Sequence, residues 1–212
     1  MKFDKKSLLL YAVTDRSWLK NETLCDQVEK ALKGGVTFVQ LREKNLDHDS
    51  FLKEAVEIKE LCQRYNVPFV IDDDVELALE CGADGVHVGQ NDMACREARA
   101  RLGNDAIVGV TAKTVQQAQA AEKAGADYLG SGAVFGTTTK KDARPMTKER
   151  LQEITASVSI PVIAIGGINS SNLPELKGTG IAGAAIVSGI FAADDIEQEC
   201  LLLRKQAEEI AA

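Results

Sequence analysis

The feature that most constrains the fold is an alternation of short apolar runs with longer segments of helical period, which continues along the whole chain. Eight apolar runs each precede a connecting segment, so one unit takes up roughly 26 residues. The predicted strands are Leu8–Thr14, Val36–Arg42, Pro68–Ile71, Gly85–Val88, Ala106–Val110, Tyr128–Val134, Pro161–Ile165 and Ala184–Val187. A repeated strand and helix unit is typical of parallel strands.

Similar segments in different units support a repetitive architecture. The segment Val67–Ile71 resembles Ile160–Ala164, and a Gly-Ala-Asp triplet stands before the strands that begin at Gly85 and Tyr128. No change of composition and no Pro/Ser/Gly-rich linker divides the chain. We therefore expect residues 1–212 to form a single α/β domain, a (β/α)8 TIM barrel, with a doubly wound open sheet as the alternative.

The connecting segments predict helices and their caps. Helical periodicity covers residues 22–32, 49–65, 75–80, 94–102, 115–124, 148–157, 173–177 and 196–210. Asp49 is predicted to cap the second of these helices and Asp74 the third, because a side-chain oxygen there accepts from a free backbone N–H. The apolar side chains that the second helix is expected to bury are Phe51, Leu52, Val56, Ile58 and Leu61.

Composition excludes several classes of function. Hydrophobic residues make up 45% of the chain, and the net charge of −7 argues against general binding to nucleic acid or to an anionic membrane. The five cysteines are scattered and form no CxxC pair, which indicates thiols in a reducing compartment. The sequence predicts a cytoplasmic protein without nucleic-acid or membrane partners, and it is compatible with a homo-oligomer.

Polar residues follow the predicted strands at their carboxyl ends, a set of positions that we call the rim. In such barrels the functional groups collect there. The second strand ends in Gln40-Leu41-Arg42-Glu43-Lys44, and every second side chain, ~7 Å apart, lies on one face. Two cations and an amide on that face suit a phosphorylated ligand, although a solvated edge strand is the alternative.

Carboxylates, hydroxyls and glycines complete the rim. Asp73 and Asp92 end neighbouring strands, where two carboxylates suit one Mg²⁺, although a solvated loop is the alternative for Asp73. The segment Thr137–Lys140 offers hydroxyl, N–H and ammonium donors, and Gly166-Gly167 and Ser188-Gly189 occupy the usual place for phosphate binding by backbone N–H groups. Two anion sites predict two phosphorylated substrates.

The sequence places no histidine on the rim. His48 stands at a helix start, and His87 lies within the fourth strand, where a neutral core side chain is the simpler interpretation. A reaction that needs a strong general base is therefore harder to assign. Departure of pyrophosphate needs charge stabilisation and positioning instead, and the rim provides both.

Six motifs, in this order and spacing, resemble the thiamine-phosphate synthase family over essentially the whole chain. They are Tyr11–Arg16, Gln40–Lys44, Ile71–Asp74, Gly85–Asp92, Thr137–Asp142 and Ala164–Ile168. The resemblance implies a Mg²⁺-dependent transferase that moves the 4-amino-2-methylpyrimidin-5-ylmethyl group from its diphosphate to 4-methyl-5-(2-phosphooxyethyl)thiazole. It also implies release of pyrophosphate before the thiazole nitrogen captures a pyrimidine carbocation, which agrees with the missing base.

The resemblance implies a role for each matching residue. The pyrimidine diphosphate is assigned to Gln40, Leu41, Arg42, Glu43, Lys44, Asp72, Thr111 and Lys140, of which Thr111 and Lys140 count as catalytic. Mg²⁺ is assigned to Asp73 and Asp92. The thiazole phosphate is assigned to Thr137, Thr139, Gly167, Val187 and Ser188, with Thr138 among the substrate-binding residues.

Three positions depart from the family pattern. Asp72 stands where asparagine is common, Thr111 replaces serine, and Gly136 replaces proline. An uncompensated Asp72 carboxylate would repel the diphosphate unless it is protonated or bound to metal. The competing interpretations are a related barrel without synthase activity, such as a thiazole tautomerase or a binder of thiamine precursors, a Schiff-base aldolase that uses Lys44 or Lys140, and a non-catalytic interaction barrel.

Overall fold

The structure, a computed structural model, describes residues 4–89, 94–136 and 146–211. Eight parallel strands close into a barrel in chain order, with the first strand paired to both the second and the eighth. They are β1 (Leu10–Val13), β2 (Phe38–Leu41), β3 (Phe69–Asp72), β4 (Gly85–Val88), β5 (Ile107–Thr111), β6 (Tyr128–Gly132), β7 (Val162–Ile165) and β8 (Gly183–Ile186). The (β/α)8 prediction is confirmed, and closure excludes the open sheet.

Helices follow the strands as the periodicity predicts. They are α1 (Leu24–Lys33), α2 (His48–Arg64), α3 (Val75–Cys81), α4 (Cys95–Leu102), α5 (Val115–Lys123), α6 (Lys148–Ala156), α7 (Ser188–Phe191) and α8 (Ile196–Ile210). The segment predicted at 173–177 is a 3₁₀ helix, Leu173–Leu176, and α7 was not predicted. Within the described ranges, no helix is both long enough and apolar enough to cross a membrane.

The second helix differs from its prediction at its start and on its buried face. Its cap is Asp47, whose Oδ1 accepts from the Ser50 N–H at 3.0 Å, so the prediction of Asp49 was wrong. Phe51 and Leu52 are half-buried and Val56 is 37% exposed, whereas Ala55 and Cys62 lie on the buried stripe with Ile58 and Leu61. Val56 falls outside because it is about 100° around the helix from Ala55. The cap of α3 at Asp74 is confirmed.

Alternation along the strands separates two apolar layers. One lies between the barrel and the helices and includes Leu41. The other fills the barrel interior, which we call the lumen, and consists of Leu8, Tyr11, Val13, Phe38, Val70, Ile107, Tyr128, Ile163 and Ala185. Because side chains plug the lumen, any ligand of the rim binds above it.

Gly109 of β5 makes room for the largest of these lumen side chains. A Cβ atom at Gly109 would lie 2.1 Å from Cζ of Tyr128 and 2.3 Å from its hydroxyl oxygen. Real Cβ atoms do not approach other atoms so closely, so glycine is required by space and not by backbone conformation.

Replacing Gly109 with Ala is therefore expected to destabilise the fold by about 1–3 kcal/mol, as overpacking of a filled core does. Thermal or denaturant unfolding measures the loss. In a Tyr128→Leu background the ring is absent, so adding Gly109→Ala should cost little more. An equal cost in both backgrounds would show that the Tyr128 ring is not what Gly109 accommodates.

Candidate active site at the carboxyl ends of the strands

Arg42 lies at the centre of the charged part of the rim. Directly after β2 it is 9% exposed, with Nη1 3.6 Å from Oδ2 of Asp15 and Nε 3.5 Å from Oδ2 of Asp72. Its backbone N–H donates to the Thr14 hydroxyl at 2.9 Å, which ties β2 to the end of β1. Arg42 therefore compensates Asp72, a pairing that the sequence did not reveal.

Asp15 is a site residue that the sequence reasoning missed. It follows β1 and is buried, and its Oδ1 caps the 3₁₀ helix Arg16–Trp18 by accepting from the Ser17 N–H at 2.9 Å. The signal was present, because Asp15 stands at a strand end as Asp73 does. In the sequence, the motif Tyr11–Arg16 indicates only the family resemblance.

The side chains of the motif Gln40–Lys44 point in different directions. Gln40 points into the lumen, Lys44 is exposed, and the Leu41 side chain packs toward the helices, which leaves only its backbone for the rim. The carboxylate of Glu43 accepts from Nε of Arg16 at 3.0 Å, and burial raises its pKa, although the Arg16 charge opposes the shift. The Glu43 side chain thus fastens a loop rather than facing the guanidinium of Arg42.

Asp73 bridges the ends of β3 and β4. Its backbone N–H donates to the His87 carbonyl at 2.8 Å, and its Oδ1 accepts from the Gly89 N–H at 3.2 Å. The residue is exposed and adopts φ +64°, a left-handed conformation that Asp and Asn tolerate better than most residues. Its carboxylate is therefore held at the solvent side of the rim.

Carboxylates and cations are interspersed on the described rim. The carboxylates of Asp15, Asp72 and Asp73 stand at the ends of β1 and β3, with Arg42 and Lys44 after β2 and the exposed Lys113 after β5. In the described part of the chain, no group of three or more His, Cys, Asp or Glu side chains is arranged to hold a metal ion. One or two carboxylates, together with water and phosphate oxygens, are enough to hold Mg²⁺, and among the described residues Asp73 could be such a ligand.

Thr111 is linked to a histidine beneath the rim. Its Oγ1 lies 3.1 Å from Nε2 of His87, and Nδ1 of His87 lies 3.0 Å from the Tyr128 hydroxyl. His87 is buried, as predicted, but its contact with Thr111 was not anticipated. Burial raises the pKa of Tyr128 far above its ordinary value, so the phenol keeps its proton.

The loops after β6, β7 and β8 pack closely because their residues are small. Gly166 and Gly167 have φ of +102° and +69°, and a Cβ at Gly167 would lie 2.0 Å from the Gly136 carbonyl oxygen. A Cβ at Gly189 would lie 2.4 Å from the Ile168 carbonyl oxygen. Gly167 is thus next to the residue that precedes Thr137, and Val187 packs on the lumen residues just before Ser188 opens α7.

Five residues predicted for the site lie outside the described ranges, so their roles stay predictions. They are Asp92, Thr137, Thr138, Thr139 and Lys140. The described candidates Gln40, Arg42, Asp72 and Thr111 lie on or just below one rim, and Asp73 and Gly167 lie in loops of that same rim. Arg42 and Lys44 thus stand on the same rim as the carboxylates of Asp72 and Asp73, where they could contact an anionic ligand.

Comparisons with known proteins agree with one another. A sequence model of the family described as thiamine monophosphate synthase matches residues 10–190. The thiamine-phosphate synthase of Ruminiclostridium cellulolyticum is 48% identical over 188 residues, 89% of this chain and 90% of that protein. Thiamine-phosphate synthase 2 of Streptococcus pneumoniae is 44% identical over 207 residues, 98% and 99% of the two chains. A solved thiamine phosphate pyrophosphorylase from Pyrococcus furiosus has a TM-score of 0.90 and 38% identity, covering 98% and 99%.

Proposed function

Because the chain belongs to the thiamine monophosphate synthase family, we propose that it joins the aminopyrimidinylmethyl diphosphate to the thiazole phosphate, giving thiamine phosphate and pyrophosphate. Family membership makes it an enzyme, a transferase of thiamine biosynthesis, and confirms the resemblance drawn from six motifs. In the structure, the position of Arg42 supports this function best. It is a nearly buried cation held between Asp15 and Asp72 at the strand ends, where a diphosphate would need positive charge.

The proposed chemistry needs charge stabilisation more than proton transfer. The bond between the pyrimidine methylene carbon and the diphosphate oxygen breaks, and its electron pair leaves with pyrophosphate. The thiazole nitrogen then forms a C–N bond to the resulting carbocation. In this scheme Arg42, Lys44 and Lys140 offset the charge that develops on the leaving pyrophosphate, and Thr111 positions the pyrimidine diphosphate.

We propose Mg²⁺ as the cofactor, held by Asp73 and Asp92. The described residues fit this ion. Asp73 is an oxygen donor whose position is fixed by two hydrogen bonds, from its own N–H to the His87 carbonyl and from the Gly89 N–H to its carboxylate. The Asp72 carboxylate is its neighbour in the chain. When bound, the ion supplies positive charge to the diphosphate oxygens. The carboxylates of Asp15, Asp72 and Asp73 give a physical reason why the diphosphate would bind poorly without it.

The thiazole phosphate is proposed to bind at the loops that follow β6, β7 and β8. Gly167 lets the loop after β7 pack against the backbone of Phe135 and Gly136, and Asn172 fixes the loop by donating to the Gly167 carbonyl at 2.9 Å. Val187 and Ser188 complete this part of the rim, and Thr137, Thr138 and Thr139 are proposed to contribute donors.

The proposed partners are thus two phosphorylated small molecules. The acidic net charge and the free, mostly buried thiols favour a cytoplasmic location, which we retain as part of the proposal. Formation of a homo-oligomer also stays a prediction.

Product analysis tests this function. Purified protein is incubated with both substrates and Mg²⁺, and thiamine phosphate is measured by chromatography, with each substrate omitted in turn. We expect product only when both are present. If no thiamine phosphate forms and borohydride traps the protein on a keto-acid substrate, the aldolase interpretation would replace the synthase.

Replacing Asp72 with Asn tests the most evident departure from the family. The change removes one of two carboxylates that pair with Arg42, so Arg42 should become more available to the diphosphate. We expect the KM for the pyrimidine diphosphate to fall by about 2- to 5-fold, because the 3.5 Å separation of Arg42 and Asp72 is that of a weak ion pair, with kcat nearly unchanged. Steady-state kinetics measure this. A large loss of activity would instead show that Asp72 has a role of its own.

A further inference from the structure

We propose that Arg16 is a positioning residue for the pyrimidine diphosphate. Together with Glu54 it holds Glu43 in place and so fixes the loop that follows β2. That loop presents Arg42 and Lys44, which contact the diphosphate in the proposed function, so the inference rests on that function. Arg16 has no part in the scheme above, and it acts through the loop rather than by touching the substrate.

Arg16 joins three elements of the structure. It opens the 3₁₀ helix that follows β1, and its Nε donates at 3.0 Å to Oε1 of Glu43, in the loop after β2. Its Nη2 donates to both carboxylate oxygens of Glu54, on α2, at 2.6 Å each. We call these three side chains the Arg16 clamp. One guanidinium thus ties the loop after β2 to the helix before it and to the helix after it.

The Arg16 clamp continues a pairing that begins at the active site. Asp15 contacts Arg42, and the next residue of each segment, Arg16 and Glu43, forms the second contact. The charges follow each other in opposite order along the two segments, so each contact pairs a cation with a carboxylate. Because Glu43 stands between Arg42 and Lys44 in the chain, any displacement of Glu43 also moves the backbone that presents the two cations.

Burial makes the Arg16 clamp more than a surface ion pair. Exposed pairs contribute little, because water competes for the charges and two long side chains lose freedom. The side chains of Glu43 and Glu54 are only 5% and 17% exposed, and that of Arg16 is 40% exposed. Among the residues that the structure describes, Arg16 is the only cation in ion-pair contact with either carboxylate. Removing it leaves two shielded carboxylates without that compensation, which is costly.

The two carboxylates of the Arg16 clamp also act on each other. Burial raises the pKa of Glu43, the Arg16 charge opposes that shift, and the Glu54 charge adds to it. Glu43 and Glu54 are thus close enough to repel each other when both are ionised, and Arg16 is the partner that they share. Without the guanidinium, Glu43 should move away from α2 and take the loop after β2 with it.

The consequence concerns binding of the diphosphate more than the chemical step. A loop whose conformation is fixed before binding loses less entropy when the substrate arrives. Once the diphosphate is bound, its own contacts with Arg42 and Lys44 help to hold the loop, so kcat should depend less on Arg16 than KM does. The thiazole phosphate is proposed to bind at the loops after β6, β7 and β8, so its KM should not depend on Arg16.

Steady-state kinetics of Arg16→Met test the Arg16 clamp. The KM for the pyrimidine diphosphate should rise about tenfold, the scale of one hydrogen bond to a charged group, while kcat falls less than about twofold and the KM for the thiazole phosphate is unchanged. Arg16→Lys restores the charge but not the planar set of donors, so it should recover part of the loss. Arg101→Met is the matched control, since Arg101 is 42% exposed and pairs with Glu76 on the helical surface. It should leave all three values unchanged.

Circular dichroism establishes that Arg16→Met is folded. A folded variant with an unaltered KM for the pyrimidine diphosphate would overturn the proposal, and so would an equal rise of both KM values, which indicates a general structural role. If Arg16→Met does not fold, Arg16→Gln, which keeps a donor but no charge, takes its place with the same expectation.

Calorimetry with inorganic pyrophosphate and Mg²⁺ separates this inference from the proposed function. A protein that forms no thiamine phosphate can still bind pyrophosphate at the loop after β2, and Arg16→Met should then weaken that binding about tenfold. In that case the proposed function fails and the role of Arg16 stands. If the unaltered protein binds no pyrophosphate, or if Arg16→Met binds it equally well, the role of Arg16 is overturned.

Discussion

Replacing Asp73 with Asn is expected to lower the rate of thiamine phosphate formation by about 100-fold, because it removes a proposed Mg²⁺ ligand. Asparagine can still accept the Gly89 N–H and tolerates the φ of +64°, so the loop should keep its conformation. Alanine would add backbone strain and confuse the interpretation. The measurement is the initial rate as a function of Mg²⁺ concentration, and the variant should require more Mg²⁺ to reach half of its maximal rate.

The matched control is Asp105→Asn. Asp105 is an exposed carboxylate in the turn before β5, at the opposite end of the barrel, so its loss should leave the rate and the Mg²⁺ requirement unchanged. An Asp73→Asn protein with the unaltered Mg²⁺ dependence would remove Asp73 from the proposed metal site.

Replacing Arg42 with Met should lower activity about as much as Asp73→Asn does, but through the loss of a cation that contacts the diphosphate. Methionine keeps an apolar stem but loses the cation that lies between Asp15 and Asp72. Loss of a charged hydrogen bond to the diphosphate, together with repulsion by the two carboxylates, should lower kcat/KM for the pyrimidine diphosphate by about 100-fold. Circular dichroism and thermal unfolding establish that the barrel remains folded.

A double-mutant cycle separates the loss of the Arg42 cation from the repulsion by the Asp72 carboxylate. If repulsion by Asp72 accounts for part of the loss, Arg42→Met/Asp72→Asn should recover about tenfold of kcat/KM relative to Arg42→Met alone. Arg150→Met is the control, since Arg150 pairs with Glu153 on the surface of α6 at 3.0 Å. Additive effects of Arg42→Met and Asp72→Asn would show that the two side chains do not act as a pair.

Most of the fold followed from the sequence because the barrel is a local repeat. Apolar runs of four to seven residues predict buried parallel strands, and the strands found within them are four or five residues long, as Gly85–Val88 illustrates. The cap of α2 was misplaced because Asp47 and Asp49 are both acceptable caps, and only packing against the barrel sets where the first turn begins. Val56 was misassigned because it lies about 100° around the helix from Ala55, and packing against the barrel decides which face is buried.

The site was less predictable because its contacts join distant parts of the chain. Strand ends identified Arg42, Asp72 and Asp73, but the pairing of Arg42 with Asp15 and Asp72 depends on the relative position of three strands. The contact of His87 with Tyr128 spans 41 residues and depends on side chains meeting inside a closed lumen. A histidine in a strand could be recognised as buried, but its partners could not be read from the sequence.

The most direct measurement is phosphorus NMR on the protein with the pyrimidine diphosphate, the thiazole phosphate and Mg²⁺, repeated after addition of EDTA. The signals of pyrophosphate and thiamine phosphate should grow in equal amounts, stop with EDTA and resume when Mg²⁺ is restored. Loss of both substrates without thiamine phosphate, or no reaction although both substrates bind, would contradict the proposal that this rim carries out the transfer.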